Sequence, residues 1–302
     1  MYFSICIPTY NRAHTLLRTL ESVKDQKFSS YEVLIVDDGS KDGTKELVKK
    51  YLQENCLEDR FRYIYKENGG KHTALNVGIQ EAQGEFFIIL DSDDWLVEDA
   101  LENLYAYCEQ IKENESFCGV MGKSLNSETN EMIGDLFDLT NPISSYFEYH
   151  FIMPQKMKVN DCFEANKTKL LKQFTFPEEE GMKFVPEAWL FDQLGVNYKL
   201  LLTNDIFRNV EYLSEGMTRG GDLREKQYRG FLYHYISRIE NVLDKIKLPF
   251  KLKIKLYTLA WYRYWQCVAM DKEKKGPRIK KVSLFGRFVW ICKPFIQIVF
   301  KT

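Results

Sequence analysis

The chain contains no CxxC pair. Its seven cysteines, at positions 6, 56, 108, 118, 162, 267 and 292, show no metal-finger spacing. An odd, scattered set of this kind reads as free thiols in a reducing compartment rather than a disulfide frame. Histidine is scarce, with four residues and no HxxxH pair, which gives a zinc site little to build on. No window reaches the ~18 uninterrupted apolar residues of a membrane-spanning helix. No basic segment leading into a long apolar stretch stands at the start, so no signal peptide is expected. There is no internal repeat, no low-complexity tract, and no RNA-recognition, KH or zinc module, so nucleic acid is not an expected partner.

Net charge is also missing, but only in the total. Lys and Arg number 42 against 43 Asp and Glu, a formal charge of −1. Residues 245–302 hold 15 Lys/Arg and 2 Asp/Glu, and residues 1–244 hold 27 and 41. An acidic body joined to a basic tail suggests two regions with different partners. The 302 residues suggest two domains, or one large domain with an appendage. A hydrophobic content of 45% with 28% charged residues excludes wholesale disorder.

Strand-like runs at 2–7, 31–36, 61–65 and 85–90 alternate with helical patterns at 13–26, 42–52, 73–82 and 98–111. This alternation predicts an α/β fold with a mostly parallel sheet covered on both faces. The next hundred residues are less regular. Strands are expected at 117–121, 199–202 and 205–212, and helices at 167–173 and 186–195. From Leu223 the pattern is helical, with segments over 226–246, 249–270 and 282–300, the last interrupted by Pro294.

Ligands of open parallel sheets bind beyond the carboxyl ends of the strands. Four polar clusters follow the four strands: Pro8-Thr9-Tyr10-Asn11-Arg12, Asp37-Asp38-Gly39-Ser40, Asn68-Gly69-Gly70-Lys71-His72 and Asp91-Ser92-Asp93-Asp94. All four therefore fall on one rim. Three aspartates within four residues, next to a buried strand, raise each other's pKa unless a cation intervenes. Mg²⁺ or Mn²⁺ suits such oxygen ligands. The plainer alternative is that Asp93 and Asp94 cap the next helix. At Asp37 and Asp38 a simple turn competes with hydrogen bonding to a base or ribose. Lys71 reads either as a phosphate or base contact or as a solvated loop charge. His72 reads as a nucleotide contact or as a residue ordering its loop.

The runs SICIPTYNR, VLIVDDGSKDGT, NGGKHTALNVGI and GEFFIILDSDDW, in this order over residues 1–100, resemble the nucleotide-binding half of family 2 glycosyltransferases. Weaker likeness continues through FPEEEGMKFVPEAWLFDQL and VEYLSEGMT to about residue 218. The resemblance implies the GT-A fold over 1–220, with a nucleotide-binding half at 1–114 and an acceptor half at 115–220. Residues 221–302 then form a basic helical region. It implies an inverting transfer from a nucleotide-sugar donor, a UDP-sugar, to a hydroxyl of a glycan or lipid-linked glycan, assisted by Mn²⁺ or Mg²⁺.

Carried over by position, the resemblance implicates Pro8, Thr9, Tyr10, Arg12, Asp37, Asp38, Lys71, Asp91, Ser92 and Asp93 in holding the donor. It makes Asp93 or Asp94 the metal ligand. Family members commonly place the general base in a Glu-Asp pair at a helix start. Here that place reads Pro186-Glu187-Ala188-Trp189, so the second acid is absent. Glu187 becomes the candidate base and Asp192 the fallback. Glu187 as a helix-start carboxylate favoured by the dipole is the alternative, and Trp189 either stacks on a sugar or fills the core.

Two other functions share these features. A sugar nucleotidyltransferase has a similar acidic site, but normally a glycine-rich loop where this chain has Pro8-Thr9-Tyr10-Asn11-Arg12. A non-catalytic scaffold with a transferase fold is suggested by Ala188. The basic, aromatic tail suits an interfacial segment on an anionic membrane, which would place the protein at the inner face of the cell membrane. The competing expectation is that its aromatics pack on the acidic body or form a dimer.

Overall fold

The computed structural model describes residues 1–159, 161–212 and 223–294. Strands β1 (Phe3–Thr9) and β2 (Tyr31–Asp37) are buried at every position. Such unbroken apolar strands persist only where helices cover both faces of the sheet. β3 (Phe61–Tyr65) and β4 (Phe86–Ile89) extend the sheet in parallel on either side. The crossovers are α1 (Leu16–Lys24), α2 (Thr44–Glu54) and α3 (Lys71–Glu81). Pairing of Thr9 with Asp37 brings two of the polar clusters to the same rim.

The second half contributes β5 (Trp95–Leu96), α4 (Ala100–Ile111), β6 (Phe117–Asn126), β7 (Glu131–Met132), β8 (Ile143–Ser144), β9 (Phe163–Lys167), α5 (Thr168–Leu171), α6 (Ala188–Asn197) and β10 (Lys199–Val210). Among the described residues the main strand order is β3-β2-β1-β4-β9-β6-β10-β5. β9 lies antiparallel between β4 and β6, which makes the sheet mixed. It takes the residues just ahead of the helix expected at 167–173 and leaves that helix four residues long. Its sequence, Phe-Glu-Ala-Asn-Lys, has too few apolar residues to announce a central strand.

Two further expectations change. The strands read at 199–202 and 205–212 are one strand, β10, with register shifts between Leu202 and Ile206 that mark an irregularity in the ladder. Helix α4 starts at Ala100, with Asp99 at the N-cap position. Asp93 and Asp94 therefore do not cap it, because β5 intervenes.

After α7 (Leu223–Lys226), helix α8 (Tyr228–Ser237) runs into a π-helical turn, Arg238–Val242. Long α9 (Phe250–Met270) and α10 (Leu284–Ile291) follow. The expected division at 220/221 lies outside the described residues. Trp261, Tyr262 and Tyr264 of α9 are buried with Leu232, and the cluster includes Phe147 and Phe151 of the preceding region. Each such aromatic removes roughly 150–250 Å² from water, several kcal/mol at about 25 cal/mol per Å². Most tail aromatics therefore pack inward. Among the described residues the exceptions are Phe250 at the start of α9 and the outer face of α10; on the inner face of α10, Val289 is buried and Gly286 lies against Trp261, where an added Cβ would come within 2.8 Å. Leu284, Phe288, Trp290 and Ile291 are exposed. The remainder of the apolar run, 295–300, lies outside the described residues.

Candidate functional site

The four rim clusters are joined by hydrogen bonds. The Asn11 N–H donates to Ser40 Oγ at 2.8 Å, and the Lys41 N–H to Asn11 Oδ1 at 2.8 Å. Asp38 is buried. Its Oδ1 accepts from Lys66 Nζ at 2.7 Å and the Gly69 N–H at 2.8 Å. Its Oδ2 accepts from Asn68 Nδ2 at 3.1 Å and the Gly70 N–H at 2.7 Å. A carboxylate offers about four lone-pair sites, so Asp38 organises the glycine loop, and a nucleotide reaches it only by displacing a donor. Asp37 is fully buried and accepts from the Ser40 N–H at 2.8 Å and the Tyr63 hydroxyl at 2.5 Å. It ties the turn together.

Gly70 has φ 100°, and a Cβ there would meet the Lys183 carbonyl oxygen at 2.0 Å. Only glycine lets the segment leading to α6 cross the loop this closely. Lys183 Nζ also donates to the Asn68 carbonyl, and Asn76 Nδ2 to Glu178 Oε1 at 2.7 Å. These contacts bring Glu187 over the start of α3.

Lys71 is the meeting point. Its ammonium lies 2.5 Å from Asp91 Oδ1 and 2.7 Å from Glu187 Oε1. Burial presses the Lys71 pKa downward, but the two carboxylates outweigh it and hold it above its ordinary value. Burial likewise disfavours ionised Asp91, and Lys71 reverses this and holds Asp91 below the usual carboxylate range. Glu187 stands at the N-cap position of α6, yet its side chain makes no capping hydrogen bond. It is turned to Lys71 instead.

The other aspartates divide. Asp94 is buried, with Oδ2 at 3.2 Å from the Arg208 guanidinium. Burial and the neighbouring Asp91 and Asp93 push its carboxyl upward against the pull of Arg208. Asp93 remains 21% accessible, and its nearest cation, Arg12, stands 3.9 Å away. Burial, then the charge of Asp91, raises its pKa. Among the described residues no three His, Cys, Asp or Glu are grouped to hold a metal by themselves. With Asp91 held by Lys71 and Asp94 by Arg208, Asp93 is the carboxylate left for a hard cation. Mg²⁺-type ions commonly take one or two carboxylates and complete their shell from substrate phosphates.

Thr9 ends β1 with a buried hydroxyl that has no hydrogen-bond partner among the described residues. Pro8 is buried beside it, and Tyr10 is exposed at the mouth. Ser92 is buried, and its carbonyl accepts from Thr15 Oγ1 at 2.8 Å. His72 is buried, and neither ring nitrogen has a partner among the described residues. Burial lowers its pKa to about 4, so it is a neutral core residue beside Phe176 rather than a nucleotide contact. Trp189 packs on the same Phe176.

Asp192 does not reach this rim. It is buried with Oδ1 at 2.6 Å from His150 Nδ1 and Oδ2 at 2.6 Å from Arg238 Nε. Burial opposes its ionisation, but Arg238 and His150 hold it well below the carboxylate range. A base needs its proton affinity near the working pH, and His150 and Arg238 hold Asp192 below that, which fits a structural ion-pair partner.

Three residues of the site carried no motif. Arg208 of β10 bonds Asp161 at 2.8 Å as well as Asp94. Arg18 of α1 donates to the Asp93 carbonyl at 2.9 Å and lies 3.8 Å over the Trp95 ring. Glu164 of β9 shares a sheet face with Ile89 and Phe87, and burial pushes its carboxyl up to about 8. The available signal was the charge itself: an Arg or Glu inside a central strand needs a partner or a shifted pKa.

The model of glycosyl transferase family 2 matches residues 4–174. The glycosyltransferase GlyG of Streptococcus pneumoniae serotype 4 is 34% identical over 114 residues, covering 37% of this chain and 36% of that protein. The Campylobacter jejuni GalNAc(5)-diNAcBac-PP-undecaprenol beta-1,3-glucosyltransferase is 31% identical over 182 residues, covering 58% of this chain and 55% of that protein. The chain thus spans about a third to a half of these two relatives. In three dimensions, S. aureus TarS 1-349 in complex with UDP-GlcNAc superposes with a TM-score of 0.61 at 22% identity, covering 99% of this chain and 82% of that one. The mannosyltransferase PcManGT of Pyrobaculum calidifontis, in complex with GDP-Man and Mn²⁺, gives 0.57 at 18% identity, covering 98% and 80%. At these identities the structural likeness shows the fold alone.

Proposed function

The chain belongs to glycosyl transferase family 2, and on that premise we propose that it transfers a sugar, with inversion, from a UDP-sugar to a hydroxyl of a glycan or lipid-linked glycan. The observation that carries this reading is the contact of Lys71 with both Asp91 and Glu187. It joins the nucleotide-binding rim, within 1–114, to the acceptor half, 115–220, of a transferase domain spanning 1–220. The nucleotide-sugar donor accords with a fold shared with proteins crystallised with UDP-GlcNAc and with GDP-Man, and the choice of uridine rests on the likeness of the rim motifs to the family. The lipid-linked acceptor is supported by sequence likeness to a glucosyltransferase whose name specifies an undecaprenol-linked substrate.

In this mechanism the donor enters along Thr9, Tyr10 and Arg12, over the loop that Asp38 organises. Lys71 faces the diphosphate. Asp93 is the residue that would hold Mn²⁺ or Mg²⁺. When bound, such an ion neutralises charge on the leaving diphosphate. Glu187 takes the proton of the acceptor hydroxyl as that oxygen attacks the anomeric carbon from the opposite side.

The region 221–302 supports membrane attachment of the enzyme. No described helix is long and apolar enough to cross a membrane. The exposed face of α10 presents Leu284, at 83% exposure, and Ile291, at 69%, beside Arg287 and Lys293. An apolar face rimmed by cations suits the interface of an anionic bilayer, the cytoplasmic face in this reading.

Thermal stabilisation by a panel of nucleotide sugars, with and without Mn²⁺, tests the donor assignment. A selective UDP-sugar shift that grows with Mn²⁺ and disappears in Asp93→Ala/Asp94→Ala supports it. Full transfer activity in that double variant overturns it.

A further inference from the structure

A cavity of about 290 Å³ opens between the π-helical turn Glu148–Ile152 and helices α8 and α9. This is close to the lower end of small-molecule sites, roughly 300–1,000 Å³. Its walls carry Arg238, Lys255 and Arg263 and no carboxylate. Asp192, behind the wall, engages Arg238. The other two cations meet only neutral acceptors among the described residues. Lys255 Nζ donates to Gln155 Oε1 at 3.0 Å, and Arg263 Nη1 to Gln266 Oε1 at 3.0 Å.

Arg224 reinforces the positive field. Tyr235 lines the cavity within electrostatic reach of Arg224, Arg238 and Arg263. Burial, and next the charge of Arg224, lowers the proton affinity of Arg263. Like charges gathered beside a half-buried cavity repel, and a bound anion removes that penalty. Guanidinium and ammonium groups on the walls of one cavity match a phosphoryl group, which accepts several charge-assisted hydrogen bonds. Phe151 and Leu256 supply an apolar wall for whatever carries the phosphate.

We infer that this cavity is a second anion site, distinct from the donor rim, that binds a phosphoryl group through Arg263, Lys255 and Arg238. The phosphate is borne either by a soluble glycan phosphate or by a lipid headgroup. The inference holds whether or not the donor reading does, because no residue of the donor rim lines the cavity.

Calorimetric titration with inorganic phosphate tests it. Wild-type protein should bind phosphate alike with and without saturating UDP, which occupies the donor rim only. Lys255→Ala and Arg263→Ala should each bind about tenfold more weakly, the loss of roughly one charge-assisted bond. Arg263→Lys should retain most of the affinity, and Lys255 is exposed, so its replacement leaves folding intact. Unchanged binding in Lys255→Ala and Arg263→Lys/Lys255→Ala, or loss of all phosphate binding when saturating UDP is present, overturns the inference. Sedimentation with phosphatidylcholine vesicles containing phosphatidylglycerol separates the sources. A parallel loss of vesicle binding assigns the lipid headgroup, and unchanged vesicle binding assigns a soluble phosphate.

Discussion

Lys71 holds Glu187 at 2.7 Å while its other contact, 2.5 Å away, is Asp91. One ammonium thus keeps apart two carboxylates from the two halves of the domain. In the proposed mechanism a donor diphosphate would compete for the same ammonium, and its arrival would loosen Glu187 for work as a base. Lys71→Met should raise the donor KM and lower kcat on the order of 10²-fold or more, as removal of a charge stabiliser does. Steady-state kinetics with the UDP-sugar identified by thermal shift measure this, and wild-type constants would remove Lys71 from the mechanism.

The two acids near α6 should behave oppositely. Glu187→Gln is expected to lower transfer by about 10²–10⁴-fold, the usual range for a general base, with donor-induced thermal stabilisation retained. Asp192→Asn should instead cost stability, about 3–5 kcal/mol for a buried ion partner removed. Donor binding per folded molecule should stay unchanged. Urea unfolding beside single-turnover transfer separates the two effects.

Glu164 makes stability fall with rising pH. An unfolded glutamate titrates near ~4.3, whereas burial pushes Glu164 up to about 8 in the folded chain. Between those values the folded state holds a proton that the unfolded state has released, so its contribution is full below the lower value and is lost as pH climbs through the upper one. Glu164→Gln stays neutral throughout. Its Tm relative to wild type should therefore increase between about pH 5 and about pH 8. A pH-independent difference would show that Glu164 is ionised in the fold.

Membrane attachment should reside on one face of α10. Leu284→Glu, Phe288→Glu and Ile291→Glu together add charge where the chain is already exposed, so the fold should survive. Sedimentation with anionic vesicles should fall severalfold. Truncation at 272 is a poorer test, since Ile279 and Val289 belong to the buried cluster around Trp261. Vesicle binding equal to wild type would assign the exposed face another partner.

The nucleotide-binding half was legible because its determinants are local. Unbroken apolar runs alternating with helical periodicity specify parallel strands, and a parallel sheet places every strand end on one rim. The clusters that contain Thr9, Asp38, Lys71 and Asp91 follow from that placement, and Lys71 meets Asp91 across the rim. β9 was illegible because half-buried Glu164 and buried Asn166 and Lys167 are polar residues whose strand exists only between β4 and β6.

By itself, then, the sequence determined the α/β class, the order of the rim clusters and the segregation of positive charge in the tail. Periodicity and composition encode these directly. Only the tertiary structure decided the partners: Lys71 to Glu187, Asp94 to Arg208 and Asp192 to His150 and Arg238. It likewise decided that most tail aromatics pack inward while α10 keeps an apolar face outside. Ion pairs and burial across elements depend on how strands and helices are set against one another, and a linear pattern carries no record of those distances.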